Sequence, residues 1–283
     1  MKEFAGKVAV INGAANGIGR ALADRCAKEG MKLVLADIEK DALTRAEMEL
    51  EDVGATVMAV QTDVSKHTEV EELAQKALDK FGAVHLLFNN AGVVVGGAIW
   101  EQSLEDWKWI LGVNLWGVIH GIRTFVPIML NQDTECHIVN TASFAGLRSA
   151  PGVGSYKVTK HGVVSMSETL YHELRGIDSK VKISVLCPGG TDTTIMTGSR
   201  NRPEELKNNQ PKESLGPWHQ AQWERLESAL ESGMPPREVA DIVFNAIQNE
   251  KFYIITHPHM LETVRMRMDE ILEQRNPKPR ATS

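Results

Sequence analysis

The sequence predicts an α/β protein in which helices cover both faces of a parallel β-sheet. Short runs rich in β-branched residues alternate with longer amphipathic runs along the 283 residues, and the short runs are apolar at nearly every position. Strands of this kind are buried on both faces, which is typical of parallel sheets joined by helical crossovers. The alternation extends from residue 7 to about residue 256 without a linker. We therefore expect one domain over residues 1–259, followed by a C-terminal helix and flexible tail over residues 260–283.

The individual strands and helices follow from this alternation in order. KVAVIN and KLVLAD are β-branched and apolar, whereas GIGRALADRCAKEG has a helical pattern that ends at Gly30. A further helix, PPREVADIVFNAIQNE, precedes the last strand. The predicted strands span 7–12, 32–37, 55–63, 84–90, 136–143, 181–189 and 251–256, and the predicted helices span 17–30, 39–54, 67–82, 104–130 and 155–175.

One segment, about 194–233, departs from the alternation. Its first half is polar and contains prolines, and its second half has a helical pattern and contains tryptophans. Such an insertion predicts a helical lid. The apolar positions of residues 260–272 fit one helical face, which predicts either a cover over its own subunit or a contact with a neighbouring subunit.

Composition and charge exclude several classes of protein. The chain is 42% hydrophobic and 24% charged with a formal net charge of −6, so it offers no basic field for nucleic acid. Its three cysteines are widely spaced without a C-x-x-C pair, which indicates a reducing compartment. We find no signal-peptide pattern and no run of the ~18–20 apolar residues that a membrane span needs. A soluble, cytoplasmic protein with no membrane partner is therefore expected, and HPH at 257–259 lacks the spacing of a metal site.

A glycine-rich turn, NGAANGIG, joins the first strand to the first helix. Its glycines, Gly13, Gly17 and Gly19, have the spacing G-x3-G-x-G. Glycines at such a turn let the backbone approach a pyrophosphate, whose charge then faces the positive end of the helix dipole. The alternative is a plain tight turn. The position between a buried strand and a helix start favours dinucleotide binding.

Asp37 ends the second strand, 20 residues after Gly17. A carboxylate at this position accepts hydrogen bonds from the adenosine ribose hydroxyls and repels a 2′-phosphate. Ile38 and Asn16 supply no basic side chain for that phosphate, and Arg20 lies inside the helix. These residues favour NAD over NADP. Asp37 could also, or instead, cap the following helix.

The segment GSYKVTKHG opens a helix and places Tyr156 four residues before Lys160. Residues four apart lie on one helical face, with their β-carbons about 5–6 Å apart. The simpler interpretation is an aromatic ring beside a solvated ammonium. The catalytic interpretation is that the lysine lowers the pKa of the phenol, ordinarily about 10, toward values that suit acid–base chemistry.

Six motifs occur in a fixed order along the chain. They are NGAANGIG (12–19), NNAG (89–92), Asn114 in GVNLWG, Ser143 in NTAS, YKVTK (156–160) and PGGTDT (188–193). On these motifs the sequence resembles the short-chain dehydrogenase/reductase family, in the branch of roughly 250 residues. The resemblance implies a Rossmann-like, doubly wound domain with a seven-stranded sheet. It also implies NAD-linked interconversion of an alcohol and a carbonyl compound.

The resemblance implies a catalytic set of Asn114, Ser143, Tyr156 and Lys160. Tyr156 would exchange a proton with the substrate oxygen, and Ser143, at the end of a strand, would hold and polarise that oxygen. Lys160 would lower the pKa of Tyr156 and bind the nicotinamide ribose. Asn114 would hold a water that passes protons to Lys160, although a buried helical asparagine can also be purely structural.

The resemblance also implies residues around the dinucleotide. Asp63 and Val64 match the pair that frames the adenine, whereas the asparagines of NNAG could mainly hold the central strands together. The chain departs from the family pattern at Asn12, usually threonine, and at Thr191, usually valine. The predicted cofactor-binding residues are Gly13, Asn16, Gly17, Ile18, Gly19, Asp37, Ile38, Asp63, Val64, Asn90, Ala91, Gly92, Tyr156, Lys160, Pro188, Gly189, Thr191 and Thr193.

The substrate is indicated less clearly. Apolar residues follow the NNAG turn and the NTAS motif and recur in the 194–233 segment, which favours a hydrophobic secondary alcohol or its ketone, aromatic, alicyclic or steroid-like. Arg148, Arg200 and Arg202 could bind an acidic group, although solvated surface is the simpler interpretation. The predicted substrate-binding residues are Ser143, Val94, Phe144, Tyr156, Met196 and Trp218.

Two other functions are compatible with this fold. An epimerase or dehydratase that retains NAD would use the same tyrosine, but such proteins have G-x-x-G-x-x-G spacing and a substantial C-terminal domain. A catalytically silent NAD-binding sensor or scaffold would tolerate damage to the catalytic set, which is intact here. The resemblance further implies a homotetramer or homodimer.

Overall fold

The computed structural model describes residues 1–208, 223–224, 227–228 and 230–278. The strands in this part of the chain are short, apolar and buried. Most of them begin and end within a few residues of the predicted bounds. They are β1 (Val8–Asn12), β2 (Lys32–Asp37), β3 (Thr56–Gln61), β4 (Leu86–Asn89), β5 (Cys136–Thr141), β6 (Val181–Cys187) and β7 (Tyr253–Ile255).

All of these strands run parallel in one seven-stranded sheet with the order β3-β2-β1-β4-β5-β6-β7. The predicted α/β, doubly wound fold is therefore confirmed. The strand order reverses between β1 and β4, which pair directly through Ala9 and Leu86. In open sheets of this kind, ligands bind outside the carboxyl ends of the strands at such a reversal. The topology therefore places a crevice where β1 and β4 end.

Helices connect the strands on both faces of the sheet. The long predicted helix 104–130 is observed as two α-helices joined by a π-helical turn, Gly112–Trp116. The described part of the predicted lid begins with 3₁₀ turns at Thr194–Asn201 and Glu204–Leu206. The α-helices are α1 (Gly17–Lys28), α2 (Lys40–Asp52), α3 (His67–Phe81), α4 (Leu104–Leu111), α5 (Gly117–Asn131), α6 (Gly154–Gly176), α7 (Pro236–Gln248) and α8 (Leu261–Leu272).

Alternate residues of the strands pack against different helix layers. On one face, Phe88 of β4 lies beside Phe244 of α7, with ring centroids 6.5 Å apart, and helices α1 and α2 belong to the same buried cluster. On the other face, Leu87 packs in a cluster with Phe125 and Met129 of α5 and with helix α3. Burying each such side chain contributes about 1.5–3 kcal/mol, so both layers hold the sheet and its carboxyl edge in place.

One helical stretch in the described part of the chain, Leu104–Asn131, is long and apolar enough to cross a membrane by length and composition alone. This differs from the expectation that no segment meets that criterion. In its most apolar window 44% of residues are buried inside the protein, and Phe125 and Met129 pack on the sheet. A core helix passes the same test, so the stretch is weak evidence for a membrane segment.

Candidate active site

Two cavities open at the carboxyl edge of the sheet. The first, which we call the glycine cleft, has a volume of about 250 Å³ and follows the turn at Gly13 and the end of β2. The second, the apolar pocket, has a volume of about 370 Å³ and extends from Phe144 to the segment around Met234. Ser143 and Tyr156 line both cavities, so the two spaces meet at these side chains.

Each glycine of the NGAANGIG turn occupies a position where an added β-carbon would lie too close to other atoms of the protein. Gly13 and Gly17 have φ angles of +68° and +54°, and a β-carbon would lie 2.8 Å from Cα of Ala91 at Gly13 and 3.0 Å from Cγ2 of Thr193 at Gly17. At Gly19 a β-carbon would lie 1.8 Å from the carbonyl oxygen of Gly13. Gly19 therefore lets α1 pack against the turn. It was predicted to bind the cofactor, but it is not among the residues that line the cleft.

The first turn of α1 offers unsatisfied backbone N–H groups to the cleft. Asn16 is the N-cap residue, but its side chain makes no capping hydrogen bond, and the first turn contains no acidic residue. Asn16, Gly17 and Ile18 all line the cleft. A helix start of this kind binds an anionic group through its N–H groups and the positive end of its dipole. The turn therefore fits the pyrophosphate of a dinucleotide.

Asp37 lines the cleft at the end of β2. Its carboxylate accepts hydrogen bonds from the backbone N–H of Ala15 at 2.9 Å and of Glu39 at 3.0 Å. Burial raises the pKa of Asp37, and these N–H groups oppose that rise. The carboxylate thus ties the glycine turn to β2 and precedes α2. The N-cap residue of α2 is Glu39, so Asp37 is not the helix cap that the alternative interpretation proposed.

Two arginines near this region are paired with carboxylates. Arg200 and Asn201 donate to the carboxylate of Glu39, at 2.5 Å and 2.7 Å. Burial of the Glu39 carboxylate acts to raise its pKa, but the hydrogen bond from Arg200 outweighs burial and holds the pKa below its ordinary value. Arg20 donates to Asp24 at 2.9 Å. The rim of the cleft beside Asp37 therefore has no excess of positive charge from these side chains.

The far end of the cleft is formed after β3. The carboxylate of Asp63 accepts from the backbone N–H of Ser65 at 3.0 Å and from its hydroxyl at 2.7 Å, and the Val64 carbonyl accepts from Nδ1 of His120 at 2.9 Å. Thr62 lines the same wall and was not predicted. The predicted cofactor-binding residues that line the cleft are Gly13, Asn16, Gly17, Ile18, Asp37, Ile38, Asp63, Val64, Asn90, Ala91, Gly92, Tyr156, Lys160, Pro188, Gly189, Thr191 and Thr193.

A chain of side-chain amides ties the central strand ends together. Asn12 donates to Asn89 at 3.2 Å, and Asn89 donates to Asn140 at 2.9 Å. Asn90 donates to the carbonyl of Gly13 at 3.2 Å. The NNAG asparagines therefore do hold the central strands, which was the structural interpretation of that motif. Asn90 also lines the cleft, so the two interpretations are compatible.

The tyrosine, serine and lysine of the predicted catalytic set lie where the two cavities meet. Ser143 follows β5; its Oγ accepts from the backbone N–H of Ala145 at 3.1 Å, and it lines both cavities together with Tyr156. Nζ of Lys160 lies 5.5 Å from the centroid of the Tyr156 ring and donates to the carbonyl of Thr141 at 2.9 Å. The structure therefore brings these three side chains together from β5 and from one face of α6.

Burial changes the proton affinities of this set. Burial raises the pKa of Tyr156, and the neighbouring Ser143 side chain opposes that rise. Burial lowers the pKa of Lys160 to about 8. The expectation that the lysine charge brings the phenol below its ordinary pKa is therefore not met in this structure. Desolvation of the phenolate is the largest cause, and it depends on burial, which the spacing of Tyr156 and Lys160 does not reveal.

Asn114 lies in the π-helical turn between α4 and α5 and is fully buried. Its side chain pairs with the backbone of Val93, accepting from N–H and donating to C=O at 2.8 Å each, and it also donates to Thr159 at 3.3 Å. A β-carbon at Gly92 would lie 3.6 Å from both Oδ1 of Asn114 and Nζ of Lys160. The asparagine and the lysine thus border the same space.

The turn after β6 is fixed by contacts with the end of β7. The backbone N–H of Gly189 donates to Thr256 at 3.1 Å, and a β-carbon at Gly189 would lie 2.6 Å from Nδ1 of His257. Thr191 is buried and donates to the Gly189 carbonyl at 3.4 Å. The first histidine of the HPH motif therefore packs against the turn that separates the two cavities.

The apolar pocket contains most of the predicted substrate-binding residues. Val94, Phe144 and Met196 line it together with Ser143. Trp218 lies outside the described residues, whereas Trp223 lines the pocket. The apolar character that was predicted from the sequence is present in the described wall.

Two cationic residues line the described part of this pocket: Arg148 was considered as a partner for an acidic group, and Lys157 was not predicted. Arg148 is only 7% exposed and lines the pocket together with Lys157, so the solvated interpretation of Arg148 was wrong. Arg202 is also largely buried, and its guanidinium donates to Asp106 at 2.6 Å. Their burial depends on which segments cover them, and that information is absent from the local sequence.

Comparisons with known proteins agree with this geometry. Residues 7–205 match the model of the short chain dehydrogenase family. The chain is 34% identical to the CLA biosynthesis dehydrogenase/reductase of Lactiplantibacillus plantarum, over 96% of this chain and 95% of that protein. It is 32% identical to the 1-deoxy-11-beta-hydroxypentalenate dehydrogenase of Streptomyces exfoliatus, over 94% of this chain and 88% of that protein.

A solved structure is similar over the whole length. It is that of a short-chain dehydrogenase/reductase from Burkholderia phymatum in complex with NAD, with 50% identity, a TM-score of 0.96 and full coverage of both chains. Together with the sheet order and the site, these findings establish that the chain belongs to the short-chain dehydrogenase/reductase family and is an oxidoreductase.

Proposed function

We propose that the protein is an NAD-dependent oxidoreductase that interconverts a secondary alcohol and a ketone on an apolar substrate. The observation that carries this proposal is the placement of Ser143, Tyr156 and Lys160 at the junction of the glycine cleft and the apolar pocket. A proton donor and acceptor at this junction can reach a substrate in one cavity and a dinucleotide in the other. The hydroxypentalenate dehydrogenase to which the chain is similar is named for a hydroxylated substrate, which supports the reaction class.

The glycine cleft fits a nicotinamide dinucleotide on the evidence of its own residues. Gly13 and Gly17 line the cleft in a tight turn with positive φ angles, and the first turn of α1 offers N–H groups to the pyrophosphate. Asp37 would accept hydrogen bonds from the adenosine ribose. Lys160, at the other end of the cleft, would bind the nicotinamide ribose. When bound, NAD supplies the hydride acceptor or donor and, in its oxidised form, a positive charge near Tyr156.

Tyr156 is the proposed general acid–base. In oxidation its phenolate takes the proton of the substrate hydroxyl while the carbinol carbon loses hydride, and in reduction the phenol returns that proton to the carbonyl oxygen. Burial raises the pKa of Tyr156, so the phenolate needs nearby positive charge, which Lys160 supplies in its protonated form. Ser143, which lies at the same junction as Tyr156, would donate to the same substrate oxygen and polarise it.

Asn114 and Lys160 are the proposed start of a route for that proton away from Tyr156. Oδ1 of Asn114 and Nζ of Lys160 each lie 3.6 Å from the position that an added β-carbon at Gly92 would take. The space between these two atoms is suitable for one water. The hydrogen bonds of Asn114 with Val93 fix its amide beside this space. The π-helical turn that carries Asn114 supports this role, because such turns occur frequently at functional sites.

The preference for NAD over NADP follows from the charges at the cleft rim. Asp37 would repel a 2′-phosphate, and Arg200, near the rim, is paired with Glu39. We expect a panel of apolar secondary alcohols, including 1-phenylethanol, cyclohexanol and a hydroxysteroid, to produce reduced nicotinamide absorbance with NAD and much less with NADP. In Asp37→Ala, the ratio of the activity with NAD to the activity with NADP should fall about tenfold. The reason is that hydrogen bonds to a charged group are stronger than those to a neutral group.

Asp24→Ala is the matched control, because Asp24 pairs with Arg20 on α1. Faster turnover with NADP than with NAD in the unchanged protein would contradict the role of Asp37 and leave the reaction intact. Binding of NAD without turnover of any alcohol or ketone would instead support the catalytically silent sensor or scaffold.

A further inference from the structure

His257 connects the apolar pocket with the turn that follows β6. It comes two residues after the end of β7 and lines the apolar pocket. A β-carbon at Gly189 would lie 2.6 Å from Nδ1 of His257, 2.7 Å from Cγ and 3.1 Å from Cε1. This edge of the imidazole therefore faces the turn, and Nε2 belongs to the opposite edge. The alcohol–ketone reaction does not use this ring.

Thr256 determines which nitrogen of the ring carries the proton. Its hydroxyl oxygen accepts from the backbone N–H of Gly189 at 3.1 Å and lies 2.7 Å from Nδ1 of His257. Thr256 is buried, and among the described residues its hydroxyl has no other hydrogen-bond partner. A buried hydroxyl whose proton has no acceptor is costly. The hydroxyl therefore donates to Nδ1, and the proton of the neutral imidazole is on Nε2.

The Nε2–H group is a donor that the fold does not use. Burial lowers the pKa of His257, and the nearby His259 adds to that effect, so the ring is neutral at pH 7. In the part of the chain that the structure describes, no group forms a hydrogen bond with Nε2. Arg148 and Lys157 line the same pocket, but their side chains carry only donors and cannot accept from Nε2.

The apolar part of the pocket wall indicates what kind of ligand supplies the acceptor. Val94, Met196, Trp223 and Met234 present apolar surface to the same space as His257. An apolar ligand with a suitably placed oxygen satisfies the Nε2–H group. An analogue with hydrocarbon in place of that oxygen leaves the donor unpaired, and sites that hydrogen bond a substrate discriminate strongly in this way.

We infer that His257 donates through Nε2 to a second oxygen of the substrate, which is therefore an apolar ketone or secondary alcohol with a further acceptor oxygen beyond the reacting one. The role of the reacting oxygen rests on the proposed alcohol–ketone reaction. The contact with the second oxygen is a binding property, so it can be measured without turnover.

The first experiment compares two pairs of ligands by calorimetry with NAD present. The pairs are 1,4-diacetylbenzene with 4-isopropylacetophenone and 1,3-diacetylbenzene with 3-isopropylacetophenone. Acetyl and isopropyl groups have similar shapes, but only acetyl carries an acceptor oxygen. We expect the diacetyl compound of at least one pair to bind about tenfold more tightly, and His257→Phe to remove that difference. His259→Phe, an exposed ring on the same segment, is the matched control.

The second experiment separates the two edges of the ring. In His257→Gln the amide nitrogen lies near the position of Nε2, so this variant should keep the preference for the diacetyl compound. In His257→Asn the amide oxygen lies near the position of Nδ1, so this variant should keep the contact with Thr256 and the KM for NAD but lose the preference. A merely structural role of His257 predicts no such division between substrate preference and the KM for NAD.

The same pairs are then compared as substrates for reduction with NADH. The electronic effect of each substituent is the same in every variant, so a fall in the diacetyl-to-isopropyl ratio of kcat/KM in His257→Phe reports the contact itself. Equal binding within both pairs, or a preference that survives His257→Phe in a folded variant, would overturn the role of His257 and leave the reaction standing. A binding preference that His257→Phe removes, without turnover of any ketone, would support the oxygen site and contradict the proposed reaction.

Discussion

The glycine cleft and the apolar pocket meet at one tyrosine but are built in different ways. The cleft is formed by strand ends and tight turns, where a β-carbon at Gly13 or Gly19 would collide with backbone atoms. The pocket is formed by side chains from separate segments, such as Val94, Arg148 and Met260. Backbone geometry restricts which residues are possible, whereas a side-chain wall can change without disturbing the fold. We therefore propose that the cleft carries the common chemistry and that the pocket determines the choice of substrate.

Apart from the change at Tyr156, the largest effect on kcat is expected where the two cavities join. Ser143→Ala removes a hydroxyl that would stabilise the substrate oxygen, and we expect kcat to fall about 100- to 1,000-fold, since loss of one such donor has that effect. Binding of NAD, measured by calorimetry, should change little. Ser165→Ala, on the exposed face of α6, is the control. A small loss of kcat would show that Ser143 only supports the local backbone at Ala145.

A smaller effect is expected from the cleft backbone. Gly19→Ala places a methyl group 1.8 Å from the Gly13 carbonyl, so α1 must move away from the turn. Overpacking of this kind costs about 1–3 kcal/mol, and we expect a Kd for NAD raised at least about tenfold together with a lower Tm. Gly176→Ala, where no atom lies within 4 Å of the new β-carbon, is the control. Unchanged NAD binding in Gly19→Ala would show that the cleft tolerates more than its geometry indicates.

The smallest effect concerns the buried cation. The folded-state pKa of Lys160 is lowered from 10.5 to about 8, so the folded protein binds fewer protons than the unfolded chain between these values. By linkage, ionisation of Lys160 destabilises the fold fully below about pH 8, and this cost disappears as pH rises toward 10.5. Urea denaturation should therefore show Lys160→Met gaining most stability, relative to the unchanged protein, at neutral pH. An advantage that does not shrink with rising pH would contradict this burial effect.

The glycine cleft and the apolar pocket also differ in how far the sequence predicts them. Asp37 and the glycine turn are predictable because a short motif specifies their backbone, and nearly all of the predicted cleft residues line one cavity. Gly19 was assigned to the cofactor because spacing does not distinguish a glycine that faces a ligand from one that permits packing. The direction of the Tyr156 pKa was wrong because desolvation depends on burial. The burial of Arg148 was not predicted, because burial depends on tertiary packing that the local sequence does not specify.

Three further sequence-based expectations stay predictions. They are the single domain over residues 1–259, the homotetrameric or homodimeric assembly, and the cytoplasmic location. Exposed apolar side chains on or before α4 and on α6, such as Trp100, Leu104 and Val158, are available for contact with another subunit. Size-exclusion chromatography with light scattering would determine the assembly directly.

The central claim is that Tyr156 exchanges the proton of the substrate oxygen at the junction of the two cavities. The most direct test is single-turnover formation of reduced nicotinamide by Tyr156→Phe, with NAD binding measured in parallel. Tyr171→Phe, on the same helix and hydrogen bonded to Arg175, is the control. We predict that Tyr156→Phe binds NAD almost normally and reacts about 100- to 10,000-fold more slowly. A rate within a few-fold of the unchanged protein would contradict the account, because the proton would then have another acceptor.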